Sequence, residues 1–267
     1  MLIAIRSLLF AVVFYINTVL FVVLGSFLLF GPRRYAMMGL KAHAIVTLWL
    51  LRVIVGTKME VRGREKLPAA PYLVCSKHQS AWDTFALIPI FTDPAMVMKA
   101  ELGYIPFYGW FSHKFQHVFV ERSRGPAALR NLVRDAKQRA SAGREIVLFP
   151  EGTRRPPGAE PDYKAGTVAL YEGLGLTCVP VALNSGLYWP RRKFMRYPGT
   201  IIVEILDPIP AGMPRKTFRA EIESRIEAAA NRLIVQAARS SEPPPIQADV
   251  LAHAEAAMAD NKALENK

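Results

Sequence analysis

Cysteine is scarce. Cys75 and Cys178 are the two in 267 residues, and both sit in apolar, strand-like runs where a thiol packs as a small hydrophobe rather than entering a disulfide. A disulfide scaffold is thereby excluded, and a reducing compartment fits. No group of Cys and His has zinc-ligand spacing, which argues against a catalytic metal. Neither a Walker loop nor a Gly-x-Gly-x-x-Gly loop occurs, which argues against nucleotide hydrolysis and dinucleotide binding. No internal repeat is visible. Charge, too, is missing over one stretch: from Leu8 to Phe30, 23 positions carry none, and as a helix rising about 1.5 Å per residue that run reaches roughly 34 Å, the thickness of a bilayer's hydrocarbon core.

The run is longer than the apolar part of a signal peptide and leads into Gly31-Pro32-Arg33-Arg34 rather than a small-residue cleavage site, so a retained membrane helix is expected. Arg33, Arg34 and Lys41 outweigh Arg6 and the terminal amine, which keeps the rest of the chain on the cytoplasmic face of the inner (cytoplasmic) membrane. Tyr35 to Val55 is apolar but interrupted by Lys41, His43 and Arg52. It suits a helix in the headgroup region, or the second arm of a hairpin dipping into one leaflet.

The net charge is +12, fitting anionic lipid and phosphate-bearing substrates. No DNA-reading motif accompanies it, so nucleic acid is not an expected partner. Tyr188-Trp189-Pro190-Arg191-Arg192-Lys193 is either a headgroup contact or a solvated loop.

Two motifs carry chemistry. In Lys77-His78-Gln79-Ser80-Ala81-Trp82-Asp83 an imidazole suited to taking a proton near pH 7 lies five positions from a carboxylate able to hold its tautomer. On one continuous helix the two would stand roughly 140° apart. Pro71 to Cys75, however, reads as a short buried strand and Ser80 as a helix N-cap, which puts His78 in a strand-to-helix loop, free to turn back. Alternatively Asp83 only completes a capping box with Ser80. In the second motif, Ala142 to Pro150 reads as a turn and a buried strand stopped by proline, delivering Glu151-Gly152-Thr153-Arg154-Arg155 into a loop. Glycine there permits close backbone approach, threonine offers a hydroxyl and arginine a fork of donors for phosphate oxygens. A thiolate nucleophile at Cys75, three residues before His78, is a competing arrangement.

In these motifs the chain resembles the glycerolipid acyltransferases typified by 1-acyl-glycerol-3-phosphate acyltransferase, over about Gly56 to Pro210. His78 and Asp83 match the family's His-x4-Asp, and Phe149-Pro150-Glu151-Gly152-Thr153-Arg154 its Phe-Pro-Glu-Gly-Thr-Arg. Lys99-Ala100-Glu101-Leu102 with Pro106 to Trp110, then Val118-Phe119-Val120-Glu121-Arg122, resemble the second block, and Val179-Pro180-Val181 the fourth, assigned to the acyl side. Lys77 stands where the family often has asparagine. Gln116 replaces a common glycine, and its side chain is expected to narrow the acceptor site.

The resemblance implies catalytic His78 and Asp83, and substrate-binding Arg122, Glu151, Gly152, Thr153 and Arg154. The reaction implied is transfer of a fatty acyl group from acyl-CoA or acyl carrier protein, as co-substrate and with no cofactor, to the free hydroxyl of a lyso-lipid acceptor at the bilayer, 1-acyl-glycerol-3-phosphate, giving phosphatidic acid in phospholipid biosynthesis. Another lysophospholipid or a lyso-aminolipid is the alternative acceptor, and a non-catalytic lipid-binding protein the alternative class. The expected fold is α/β, a mixed central sheet flanked by helices and preceded by the membrane helix or hairpin. The expected organisation is membrane helices at 1–55, a catalytic domain at 56–240 and a polar tail at 241–267. Within it, Thr200 to Leu206 reads as a strand and Lys216 to Arg239 as a helix packed on the core. The tail after Pro243-Pro244-Pro245 reads as a loosely held helix or a disordered segment.

Overall fold

The computed structural model describes residues 1–121 and 125–265, with side chains described up to residue 260. Two apolar helices open the chain, α1 (Leu2–Leu24) and α2 (Arg33–Ile54), each long and apolar enough by length and composition to cross a membrane. Pro32, held extended at φ −57° and ψ 140°, starts the second helix, so the short turn between them returns the chain antiparallel. Asn17 donates to Thr47 at 3.2 Å, and Thr18 meets His43 at 3.2 Å.

This hairpin does not stand away from the rest. Phe10 and Phe14 set their edges against Trp189 at 5.4 and 6.0 Å. The amide of Arg196 donates to Ser7 at 2.9 Å, and beyond the turn Arg33 binds Asp93 through two hydrogen bonds of 2.8 and 2.5 Å. Its other side, including Leu8, Tyr15, Val19, Val23, Trp49 and Val53, is exposed.

Seven strands follow: β1 (Thr57–Arg62), β2 (Leu73–Ser76), β3 (Ala95–Lys99), β4 (Val118–Val120), β5 (Ile146–Leu148), β6 (Cys178–Leu183) and β7 (Gly199–Ile205), in the sheet order β1-β7-β6-β2-β5-β3-β4. All neighbours are parallel except β6 and β7, so the sheet is mixed, as expected. The central strands are short and apolar throughout because both faces are covered. Leu73, Cys75, Ile146 and Leu148 point to one face and Val74 and Val147 to the other.

Short helices α3 (Asp83–Ala86) and α4 (Tyr108–Lys114) follow β2 and β3, while α5 (Pro126–Ala140) and α6 (Ala165–Leu174) pack on the Leu73 face. The one-turn α7 (Ser185–Tyr188) follows β6, and α8 (Arg215–Ala238) buries Phe218, Ile222, Ile226 and Leu233. The tail forms a helix, α9 (Ala248–Glu265), which packs on α8 and buries Ala254 in the core around Val74. Both cysteines are free and buried on adjacent strands, and burial pushes the Cys178 thiol up.

For function the decisive feature is register. β6, β2 and β5 are parallel neighbours, so the residues leaving their C-terminal ends emerge side by side, where open α/β sheets bind ligands. Those residues are Asn184-Ser185, Lys77-His78 and Phe149-Pro150-Glu151.

Candidate active site

Asp83, wholly buried, organises the loop after β2. One carboxylate oxygen accepts from His78 Nδ1 at 2.9 Å and from the amides of Gln79 and Ser80 at 2.8 and 2.9 Å. The other accepts from the Ser185 hydroxyl at 2.5 Å. Ser80 in turn accepts from the Trp82 amide at 3.1 Å. Ser80 is not the helix N-cap, since α3 begins at Asp83 with Trp82 before it and no side-chain cap, so the capping-box alternative does not form and the Asp83 carboxylate instead gathers the loop amides and the imidazole. Phe149 from the second motif stacks on the His78 ring, 4.0 Å away and tilted 18°. The carbonyl of His78 accepts from the Arg155 amide at 2.8 Å, joining the two loops. With Nδ1 engaged, Nε2 is the nitrogen left for substrate.

His78 lines a cavity of about 1500 Å³, above the roughly 300–1,000 Å³ typical of small-ligand sites. Gly152, Thr153 and Arg154 line it too, with Lys164 and Arg191, while Phe21, Leu28, Phe85, Met96, Phe111 and Leu129 give it an apolar arm that reaches the hairpin. Gly152 has φ +63°, a turn that an L side chain strains, and it swings Thr153 and Arg154 onto the wall. Arg191 donates to the Arg154 carbonyl at 2.7 Å, holding that loop in place.

Several expectations are corrected. Glu151 does not reach the cavity: it is buried and paired with Lys77 at 3.1 Å, and Lys77 also binds Glu227 of α8 at 2.6 Å. Glu151 precedes the left-handed turn at Gly152 and stays buried, while Thr153 and Arg154 follow that turn onto the wall, and burial pushes the Glu151 carboxyl up against the pull of Lys77. Gln116 does not narrow the site. Its side chain is exposed, and its φ of +56° shows that the position asks for a left-handed backbone, the property glycine supplies most easily. Tyr188 and Trp189 are buried and unavailable to headgroups. The thiol of Cys75 lies in the core, away from His78. Val179, Pro180 and Val181 are buried in β6 and do not line the cavity. Arg122 lies outside the described residues.

Sequence reasoning missed Ser185, whose only signal was its place just after a buried strand, and Arg191, hidden in a basic run. Lys164 also stands on the cavity wall, with its ammonium paired to Asp162.

The acyltransferase family profile matches residues 58–184. A 1-acyl-sn-glycerol-3-phosphate acyltransferase of Pseudomonas aeruginosa is 39% identical over 181 residues, covering 68% of this chain and 70% of that one. The chain belongs to the acyltransferase family. A yeast relative of the same name, from Saccharomyces cerevisiae, is 32% identical over 165 residues, covering 60% of this acyltransferase and 54% of its own length, little more than half. The crystal structure of the 1-acyl-sn-glycerophosphate (LPA) acyltransferase PlsC from Thermotoga maritima shares the fold, with a TM-score of 0.73 at 23% identity over 86% of this chain and 96% of that one. Like its family, this acyltransferase needs no cofactor, and it is an enzyme of lipid synthesis.

Proposed function

We propose that this acyltransferase moves a fatty acyl group from a thioester, acyl-CoA or acyl carrier protein, to the free hydroxyl of 1-acyl-glycerol-3-phosphate, making phosphatidic acid. The observation that carries the reading is His78, held by Asp83 at 2.9 Å and facing a cavity that is cationic beside it and apolar beyond. In the proposed step Nε2 of His78 takes the acceptor's proton as its oxygen attacks the thioester carbonyl. Asp83 stabilises the imidazolium. The tetrahedral intermediate collapses by breaking the carbon–sulfur bond, and His78 returns the proton to the departing thiolate, so no acyl-enzyme forms. Arg154, Thr153 and the Gly152 backbone hold the acceptor phosphate, so that binding positions the hydroxyl. Arg122 joins them by resemblance to the family.

The hairpin, residues 1–55, is proposed to lie in one leaflet, with residues 56–240 catalytic and 241–267 a packed tail. Ser7 near one end of α1 and Arg33 beyond the other both bind the same domain, an arrangement a spanning α1 would break. Charge asymmetry then ceases to set the side. The thioester donors and the free thiols support the cytoplasmic face.

The test is thiol release from acyl-CoA by detergent-solubilised protein, given 1-acylglycerol-3-phosphate or other lyso-lipids separately. Turnover with the first supports the proposal. Turnover only with another moves the acceptor, and none with any sinks the catalytic reading. Arg154→Ala should raise KM for the phosphorylated acceptor, and an unchanged KM removes Arg154 from the phosphate site.

A further inference from the structure

Away from the hairpin, one short segment exposes Tyr104, Ile105, Phe107, Tyr108 and Trp110 together. Single exposed apolar side chains are ordinary, but a contiguous group marks a contact surface. The segment is also rigid. Gly109 lies so close to Gly103 that a Cβ there would come within 2.1 Å of the Gly103 oxygen, and the Tyr108 amide bonds the Pro106 carbonyl at 2.7 Å. Phe107 sits at φ +60° and ψ −57°, a conformation that side chains other than glycine rarely adopt. Its ring stays half exposed, 4.9 Å from that of Trp110. Backbone strain that holds an aromatic ring toward solvent is the kind retained at functional sites.

Two observations name the occupant. First, Phe111, within α4, and Phe115, just after it, form one cluster with Leu28, Ala36, Met37 and Leu40 of the hairpin, so the segment packs against the turn end of the hairpin, where Phe27, Phe30 and Met38 are exposed. Second, its Tyr, Phe and Trp rings followed by Lys114 have the composition of the belt that proteins place at the membrane–water interface. We infer that Tyr104–Trp110 is a second membrane-contact element, seating the catalytic domain itself among the lipid headgroups beside the hairpin. The inference rests on the membrane reading above. Two separate contacts fix the tilt of the domain on the bilayer, and Phe107 and Tyr108, which also line the cavity, then lie where a lipid enters.

The experiment uses full-length Trp49→Phe protein, in which Trp110 is the exposed tryptophan and Trp82 and Trp189 are buried. It is mixed with phosphatidylethanolamine–phosphatidylglycerol vesicles brominated either near the headgroup or deep in the acyl chains. The expected result is cosedimentation with Trp110 emission shifted to the blue and quenched more by shallow than by deep bromine. Replacing Tyr104 and Trp110 together by alanine should weaken vesicle binding on the order of tenfold and leave acyl transfer in detergent unchanged. Cosedimentation with no quenching of Trp110 overturns the inference and leaves the hairpin reading standing. No cosedimentation overturns both. Crosslinking of two copies through a Trp110→Cys variant on the vesicles makes a second copy the occupant and overturns it as well.

Discussion

Asp83 accepts four hydrogen bonds while wholly buried, which leaves its carboxylate no freedom to turn. A catalytic orienter works best when it is itself held. Ser185 supplies one of the four, and its removal should lower kcat by about ten- to a hundredfold, the worth of a hydrogen bond to a charged group. KM for either substrate should not move, since Ser185 does not line the cavity, and a steady-state comparison of Ser185→Ala with the unaltered enzyme decides it. His78→Ala should cost at least about a hundredfold, the scale of general-base catalysis, with the melting temperature little changed. An active variant removes His78 from its role. His78 and Asp83 were legible in the sequence because both partners lie within one short loop. Ser185 was not, since it meets Asp83 only through the alignment of β6 with β2 across 102 positions of chain.

Between elements, two buried charged or titratable side chains act as pins. Lys77, after β2, ties the Glu151 loop to α8 through Glu227, and Tyr163 donates to the same Glu227 oxygen at 3.0 Å. Lys77→Met leaves Glu151 buried without its cation, which should cost about 3–5 kcal/mol and on the order of 10 °C in melting temperature. The folded-state pKa of Glu151 lies above its ordinary 4.5, so its contribution to stability is present below that value and is lost as pH rises through the raised one. The deficit of Lys77→Met should accordingly be largest near neutral pH and shrink toward pH 4.5. His117 pins β4 to β3 by accepting from the Met96 amide at 3.2 Å. Burial, and then Arg144, push its pKa from 6.5 down to about 3. The unfolded chain takes up a proton that the folded one refuses, so this stability is complete above pH 6.5 and is lost progressively as pH falls toward 3. Melting curves between pH 7 and 4 should show the fall, and His117→Gln should flatten it. Strands and helices were readable from apolar runs and proline stops. The pins were not, because a lone Lys or His in a sequence carries no mark of burial.

For the whole molecule, what matters is that the hairpin forms one of the two helical layers on the sheet, with Phe10 and Leu51 in the same core as Val74. In sealed vesicles of known orientation, a cysteine at Gly31, where a side chain meets nothing within 4 Å, should react with an impermeant maleimide from the side that bears the catalytic domain. Reaction from the opposite side shows that α1 crosses. The apolar runs were plain in the sequence, but their docking was hidden, because Phe10 and Trp189 stand far apart along the chain. That separation also has a meaning in time. At about 5–20 residues per second, Phe10 is made roughly 10–35 seconds before Trp189. For that interval the newborn hairpin has no protein surface to cover it. On the membrane reading proposed above, its first companion is lipid, so the nascent chain would be drawn to the bilayer before its active site exists, and the enzyme would mature in place where its substrates are dissolved.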